Sequence, residues 1–237
     1  MKFLTKEWYQ TMQNSGLGSL KVDPEAERFS DAYYRKLYRE QKNEWLHTRK
    51  EVCCLLDEPF DEKKEKSRFD SIIWHEKQRY ATKLPENILN DVADIRVLAL
   101  GYCTQDVKEK IKTFAKQCRD QVENTWCAYE KYEKVTFAQN RPEFLDRFHF
   151  HDNFVASMQK CGDDYHLLFE KDEEDTEDVK RIIFKGVRAC QKEKRLAGAW
   201  WLYEEVHRTE DGYEVCVLLD KNGVFELSIK CDDVVLE

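Results

Sequence analysis

The spacing of hydrophobic and polar residues changes near Pro142. Before this residue, apolar side chains recur every three or four positions, the spacing that places them on one face of an α-helix. After it, apolar and polar residues alternate in short runs separated by turn residues, which is the pattern of β-strands. We therefore predict an α+β fold, with an N-terminal multi-helix bundle in residues 1–139 and a C-terminal antiparallel β-meander or half-barrel in residues 140–237.

Five helical segments are predicted in the N-terminal part. Thr5 and Thr104 stand where helix N-caps are expected, and Pro or Gly residues separate the segments. The segments are residues 5–14, Pro24 to about Leu56, about 61–81, Pro85 to Gly101, and a long helix that begins after Thr104.

The long helix carries an apolar face over about seven turns. Its members are Val107, Ile111, Phe114, Cys118, Val122, Thr125, Trp126 and Tyr129. We interpret this face as the seam of a helix bundle. The alternative is a dimerisation helix that pairs residues 104–136 between chains, although its heptads are less regular than a coiled coil requires.

The C-terminal part contains the turn signals of β-hairpins. Asp211-Gly212 and Asn222-Gly223 supply the positive φ angles of tight turns, and Gly162 marks an earlier turn. The runs between these turns predict about six strands in consecutive antiparallel hairpins. Such a sheet is expected to be curved and open, with helices covering one face.

One predicted strand, residues 199–203, is apolar on both sides. Strand alternation places Trp200 and Leu202 on one side of the sheet. Trp201 and Tyr203 then share the other side, so we interpret both faces as buried. In the alternative, Trp200, Trp201 and Tyr203 form an exposed aromatic platform that binds a partner.

Composition restricts the classes of function. The net charge is −8, and basic residues are mixed with acidic ones along the chain, so nucleic acid is not an expected partner. No stretch is as apolar as a signal peptide or a membrane helix, which predicts a cytoplasmic protein without membrane association. The nine cysteines form no C-x-x-C pair, as is typical of reduced thiols. With eight glycines and no phosphate-binding motif, no cofactor is expected.

Two segments carry a family resemblance: the opening FLTKEWYQTMQ and the closing AGAWWLYEEVHRTEDGYEVCVLL, with FHFHD between them. They resemble an uncharacterised Gram-positive bacterial family, a domain of unknown function whose members begin with an F-T-K-E-W-Y-like block. The resemblance covers both ends and therefore implies a match along the whole chain. The Phe-His-Asp segment also resembles the start of small bacterial sheet domains associated with toxin-immunity proteins. Neither resemblance implies a catalytic residue.

One cluster has the composition of a chemical site, namely His149, His151 and Asp152. Two imidazoles at i and i+2 of an extended strand point to the same side and could ligate a divalent metal, with Asp152 or another carboxylate as a third ligand. In the alternative, Asp152 accepts backbone N–H groups at a hairpin entrance and orients His151. A second acidic segment, Glu170–Asp178, lacks the Gly of a calcium loop, which favours a solvated loop.

The sequence therefore favours a non-enzymatic, cytosolic protein of bacterial type that binds another protein or regulates it, with an immunity-like role as one version. An aromatic content of 13% and the acidic charge support this prediction. The alternative is a metal-dependent hydrolase that uses His149, His151, Asp152 and a carboxylate from the acidic segment. A third hypothesis is a helical oligomeriser that pairs through residues 104–136. The partner and the oligomeric state do not follow from the sequence.

Overall fold

The structure is a computed structural model, and it describes residues 1–17, 19–170 and 179–237. Helices precede an antiparallel sheet, which confirms the predicted α+β fold. The helices in these ranges are α1 (Lys6–Ser15), α2 (Asp31–Leu55), α3 (Glu62–Lys83), α4 (Glu86–Leu89), α5 (Ile95–Ala99), α6 (Gln105–Phe137) and α7 (Glu143–Asp146). The strands are β1 (Lys21–Val22), β2 (Tyr102–Cys103), β3 (Phe154–Cys161), β4 (Asp164–Phe169), β5 (Arg181–Lys185), β6 (Ala189–Lys192), β7 (Ala199–Thr209), β8 (Gly212–Asp220), β9 (Val224–Cys231) and β10 (Asp233–Leu236).

Local capping chemistry fixes several helix starts. The Thr5 hydroxyl accepts the Trp8 backbone N–H at 3.2 Å, and the Thr104 hydroxyl accepts the Val107 N–H at 3.3 Å. Both caps were predicted from the sequence. Each satisfies a backbone donor that has no partner within the first turn of its helix.

Two predicted helices are interrupted. The segment from Pro24 forms one 3₁₀ turn, Pro24–Glu27, and α2 begins only after Ser30, whose hydroxyl accepts the Tyr33 N–H. The segment from Pro85 to Gly101 divides into α4 and α5, because the Asp94 carboxylate accepts the Arg96 N–H at 2.9 Å and starts a new helix. A continuous helix was therefore the wrong prediction for both segments. In each case a short polar side chain caps a restart.

The chain divides into two compact units. We call Gln13–Arg119 the helical unit, and Met1–Met12 together with Asp120–Glu237 the sheet unit. The predicted boundary between residues 139 and 140 rests on the sequence pattern and stays a prediction.

The helical unit has its own buried apolar residues. One cluster contains Tyr80, Leu98 and Ile111, and a second contains Tyr33 and Phe69. The two-residue strands β1 and β2 pair in parallel within this unit, with Lys21 opposite Tyr102. No helix within the described residues is both long and apolar enough to cross a membrane.

The sheet unit contains an antiparallel sheet. In the described ranges it has eight strands in the order β10-β5-β4-β3-β7-β8-β9-β6, and it is not closed into a barrel. The β7-β8-β9 meander and its two tight turns confirm the predicted hairpins. Gly212 has a φ of +140°, and a Cβ at this position would lie 2.3 Å from the Cys231 carbonyl oxygen, so this turn requires glycine.

The central strand β7 contains a β-bulge that the sequence pattern did not predict. Trp201 lies opposite Leu219 and Tyr203 lies opposite Leu218, which leaves Leu202 as the extra residue. A bulge reverses the alternation of side chains beyond it. Trp201 therefore packs in the main core with Phe150, whereas Tyr203 packs in a separate cluster. The prediction that Trp201 and Tyr203 share one side of the sheet was wrong for this reason.

The residues before β3 differ from the expected strand. The helix α7 follows Pro142, and β3 begins only at Phe154. His149, His151 and Asp152 therefore lie in a connection and not in a strand. Of the predicted acidic loop Glu170–Asp178, residues 171–178 lie outside the described residues.

Candidate functional site

A cavity of about 220 Å³ opens in the sheet unit beside α6 and β7. We call it the α6–β7 pocket. Its lining residues are Leu4, Trp126, Tyr129, Glu130, Glu133, Lys134, Leu145, His149, Tyr203 and Glu204. Small-molecule sites in proteins usually occupy about 300–1,000 Å³. This pocket therefore has the size for one side chain or a similarly small group.

One face of α6 supplies half of the lining. Trp126, Glu130 and Glu133 follow one another at intervals of four and three residues, which places their side chains on the same face of the helix. The Trp126 indole N–H donates to the Glu130 carboxylate at 3.1 Å. The residue as a whole is 36% exposed. Trp126 therefore forms part of the rim of the pocket.

The aromatic wall of the pocket is held by mutual packing. Tyr203 meets Trp8 edge to face with ring centroids 4.9 Å apart, and Trp126 lies 6.1 Å from both rings. The Trp8 indole N–H donates to the Val122 carbonyl at 3.3 Å. Edge-to-face contacts of this kind stabilise aromatic clusters beyond the area that they bury. The wall therefore presents fixed ring surfaces.

The N-terminal segment forms one side of the pocket with Leu4, and the Glu205 carboxylate of β7 holds this segment in place. This carboxylate has no exposed surface and accepts the backbone N–H groups of Lys2 and Phe3 at 2.8 Å, and also that of Leu4. His207 Nε2 lies 2.6 Å from the same carboxylate. Burial alone would raise the pKa of Glu205, but His207 and the three backbone donors bring this pKa below its usual value. Leu4 is thereby fixed as a buried wall of the pocket.

The polar end of the pocket contains an ion pair. His149 Nδ1 lies 3.6 Å from Glu204, and its Nε2 lies 2.8 Å from the Leu145 carbonyl oxygen, which can only accept a hydrogen bond. Glu204 also accepts the Trp201 indole N–H at 2.5 Å. The Glu204 carboxylate, with help from the Leu145 carbonyl and against the effect of burial, raises the pKa of His149 to about 9. His149 is therefore an imidazolium at neutral pH.

Glu133 is the second acidic group at this end. Its partial burial raises its pKa, as do the nearby carboxylates of Glu204 and Glu130, whereas Tyr129 and His149 act in the opposite direction. Among the residues that the structure describes, no lysine, arginine or histidine nitrogen lies within 4.0 Å of the Glu133 carboxylate. Perturbed pKa values of this kind concentrate at functional sites. Glu133 and His149 therefore mark this pocket as a candidate site.

Tyr129 connects the pocket to the sheet. Its ring is buried, and its hydroxyl accepts the Val206 N–H of β7 at 3.0 Å. The next aromatic residue on this face of α6, Tyr132, accepts the Arg208 N–H at 3.1 Å. Since both bonds reach β7, they fix α6 against the strand that carries Tyr203 and Glu204.

The three residues of the predicted metal cluster have separate partners. His149 faces Glu204, whereas His151 Nδ1 lies 3.1 Å from its neighbour Asp152. The Asp152 N–H donates to the Trp201 carbonyl at 2.9 Å, and its φ of +68° marks a turn. The described residues contain no group of three or more His, Cys, Asp or Glu side chains that could hold a metal ion. Of the cluster, only His149 lines the pocket.

The predicted aromatic platform is also divided. Trp201 has no exposed surface and cannot belong to a binding face, whereas Trp200 is 44% exposed and contacts Phe154 edge to face. Tyr203 is partly buried and belongs to the α6–β7 pocket. A binding role for Trp200 and Tyr203 stays a prediction.

Sequence reasoning missed the carboxylates of the pocket. Glu130 and Glu133 continue the apolar face of α6 one and two turns after Trp126, and Glu204 interrupts an apolar strand. The sequence did contain a signal for these carboxylates, because acidic residues occupy positions that an amphipathic pattern assigns to the buried side.

Comparison with protein families identifies the chain at the level of family. The model of the family described as "Protein of unknown function (DUF4085)" matches residues 3–229, and the chain therefore belongs to this family. No curated protein matches the chain.

Proposed function

We propose that this member of the DUF4085 family is a non-enzymatic protein-binding module, and that its partner docks at the α6–β7 pocket. The observation that carries the proposal is the combination of a fixed aromatic wall with a partly exposed indole at the rim, Trp126. Aromatic residues with both packed and open surface are characteristic anchors of protein interfaces.

The size of the pocket supports a protein partner over a metabolite. A volume of about 220 Å³ accommodates a single side chain better than a drug-sized ligand. Interfaces commonly place one anchor side chain of the partner in such a pocket, with weaker contacts around it.

The charge of the chain supports a basic partner. A net charge of −8 attracts positively charged surfaces and accelerates their association. We infer a regulatory role, of which neutralisation of a basic protein in the manner of an immunity protein is one version.

We place this function in the cytoplasm. All nine cysteines are free thiols, and four of them, Cys54, Cys127, Cys161 and Cys190, are at least partly exposed. Exposed free thiols persist in a reducing compartment.

Site-directed photo-crosslinking tests the proposal. Trp126 is replaced by p-benzoylphenylalanine in the full chain, which is irradiated in a lysate of cells that naturally produce it. The matched control carries the same group at Trp74, which lies on α3 in the helical unit and is 58% exposed. We expect one protein to be captured at position 126 and not at position 74.

Binding of the purified partner completes the test. Trp126→Ala is expected to weaken binding at least about tenfold, the loss typical of a removed aromatic anchor, whereas Trp74→Ala leaves it unchanged. Equal capture at both positions, or equal affinity of the two variants, contradicts the proposal.

A further inference from the structure

We propose that the α6–β7 pocket binds one cationic side chain of the partner, a lysine or an arginine. This inference rests on the proposed function, because it assigns the chemistry of the group that enters the pocket. It stands on the geometry of the aromatic wall and of the carboxylates that line the same pocket.

The aromatic wall suits a cation. Trp126 and Tyr203 line the pocket together, and their rings are fixed by Trp8 behind them. Ammonium and guanidinium groups bind the faces of such rings, most strongly where the site is partly removed from water. The long apolar stems of lysine and arginine also pack on aromatic surfaces.

The carboxylates leave one negative charge without a cation. Glu204 is paired with His149, and Glu130 lies 3.9 Å from Lys134. For Glu133, the described part of the chain offers no cationic nitrogen within 4.0 Å. A ligand cation beside Glu133 would complete the charge balance of the pocket. A neutral side chain of the same shape would leave this carboxylate partly buried, with only Tyr129 and the more distant His149 favouring its ionised form.

The same arrangement couples binding to a proton. Glu133 is faced by Tyr129 and Glu130 on its own helix, by His149 from the loop after α7, and by Glu204 from β7. Since burial raises the pKa of Glu133, this carboxyl group is protonated at a higher pH than an exposed glutamate. An entering cation favours the ionised carboxylate and displaces that proton. Affinity for the cation is therefore expected to rise with pH as Glu133 ionises.

Matched small probes test the inference on the full chain. The cations are N-acetyl-lysine methylamide and N-acetyl-arginine methylamide, and their neutral counterparts are N-acetyl-norleucine methylamide and N-acetyl-citrulline methylamide. Binding is followed by NMR through the Trp126 indole N–H, which is identified by its loss in Trp126→Phe. We expect at least one cation to bind with a Kd on the order of millimolar, the range for so small a ligand. Each neutral counterpart is expected to bind about tenfold more weakly or not at all.

Two variants show which group is responsible. Glu133→Gln is expected to weaken cation binding about tenfold and to abolish its rise with pH below neutrality, where His149, with a pKa of about 9, keeps its charge. The control Glu123→Gln alters an exposed carboxylate of α6 outside the pocket and is expected to change neither property. Unchanged amide spectra confirm that both variants fold.

The outcomes separate this inference from the proposed function. Equal binding of cations and neutral counterparts, or an unaltered affinity in Glu133→Gln, overturns the cation assignment. If position 126 still captures a protein in that case, the protein-binding proposal survives with a different occupant. If neither cations nor a protein bind at Trp126, both proposals fall.

Discussion

Glu205 shows how one buried carboxylate organises its surroundings. It has no exposed surface, yet it is ionised because three backbone N–H groups and His207 surround it. A buried charge is tolerated when hydrogen bonds replace its hydration, and the loss of such bonds is costly. The N-terminal segment is therefore attached to β7 by a charged group and not only by apolar packing.

The substitution Glu205→Gln tests this attachment. We expect a loss of about 3 kcal/mol in the free energy of unfolding at pH 7, since the amide replaces a charged acceptor and presents N–H groups to N–H donors. The pKa of Glu205 is lowered in the folded state, so its stabilising contribution is present above the unfolded pKa and is lost as the pH falls through the folded pKa. Urea unfolding at pH 7 and at pH values below about 4 measures both effects. The control Glu210→Gln, in the exposed turn after β7, is expected to change stability little; equal losses in the two variants would contradict the assignment.

His149 provides a second measurement at the residue scale. NMR titration of its ring is expected to give a pKa of about 9, above the usual value, because Glu204 stabilises the imidazolium. In Glu204→Gln the pKa is expected to fall toward about 6.5. A raised pKa of a histidine stabilises the fold below the unfolded pKa, and this contribution disappears as the pH rises through the folded value. Its size is small because the side chain is 58% exposed. An unchanged His149 titration in Glu204→Gln would falsify the pairing.

The structural roles of some residues follow from the sequence, whereas those of others do not. The caps at Thr5 and Thr104 were predictable, because a cap depends on a side chain and the two or three residues that follow it. Glu133 and Glu204 were not, because their properties depend on His149 and on each other, and these residues are distant in sequence. His149 was selected for metal chemistry, although its structural partner is a carboxylate on β7.

At the scale of elements, β7 departs most from its sequence pattern. Alternation alone predicts that every second residue shares a face, but the bulge at Leu202 exchanges the faces near the start of the strand. Trp201 therefore faces the main core, whereas Tyr203 and Glu205 face the N-terminal segment and α6. A bulge leaves little trace in the sequence because it depends on the register of the neighbouring strand.

A pair of adjacent substitutions tests the geometry of β7. Trp201→Ala is expected to cost about 3–5 kcal/mol in the free energy of unfolding, because it removes a fully buried ring and leaves a cavity. Trp200→Ala is expected to cost less than about 1 kcal/mol, since 44% of that residue is exposed. Chemical denaturation measures both variants, and each serves as the control for the other. Similar costs would show that the two indoles are equally buried and that the assigned register is wrong.

Elements with strong periodicity were predicted well. The region of α6 was correct because an amphipathic stripe persists over many turns. The errors arose where the sequence permits two local solutions, as at Ser30 and Asp94, which end one helical segment and begin another. The strand expected before Phe154 was wrong because aromatic residues of that segment fill the core from an irregular connection.

At the scale of the whole molecule, the sheet unit is assembled from both ends of the chain. Met1–Met12 group with Asp120–Glu237, and the hydroxyls of Tyr129 and Tyr132 accept N–H groups of β7. The sequence pattern placed the boundary between residues 139 and 140. The two descriptions differ in whether residues 140–237 form a stable fold without the first twelve residues and residues 120–139.

Two shortened chains distinguish these descriptions. Residues 140–237 alone lack both tyrosines and the N–H donors of Glu205, so we expect broad, non-cooperative thermal unfolding. A rearranged chain, in which residues 120–237 are followed by a flexible linker and residues 1–12, retains these groups and is expected to unfold cooperatively. Circular dichroism and calorimetry measure both. Cooperative unfolding of residues 140–237 at the same temperature as the rearranged chain supports the boundary at 139/140.

The order of strands also determines which strands lie at the edges of the sheet and could pair with strands of other molecules. Among the strands of the described residues, β6 and β10 lie at the two edges of the sheet; each is only four residues long, and β6 ends in Gln191 and Lys192. A long, flat, apolar edge strand would act as a template for strand addition and aggregation. A short edge strand with a lysine offers few unpaired backbone groups and disfavours pairing with a strand of another copy. The long apolar strands β7 and β8 are enclosed in the middle of the sheet, where no foreign strand can reach them. The topology thereby protects these two long strands from pairing with other chains for as long as the fold remains intact.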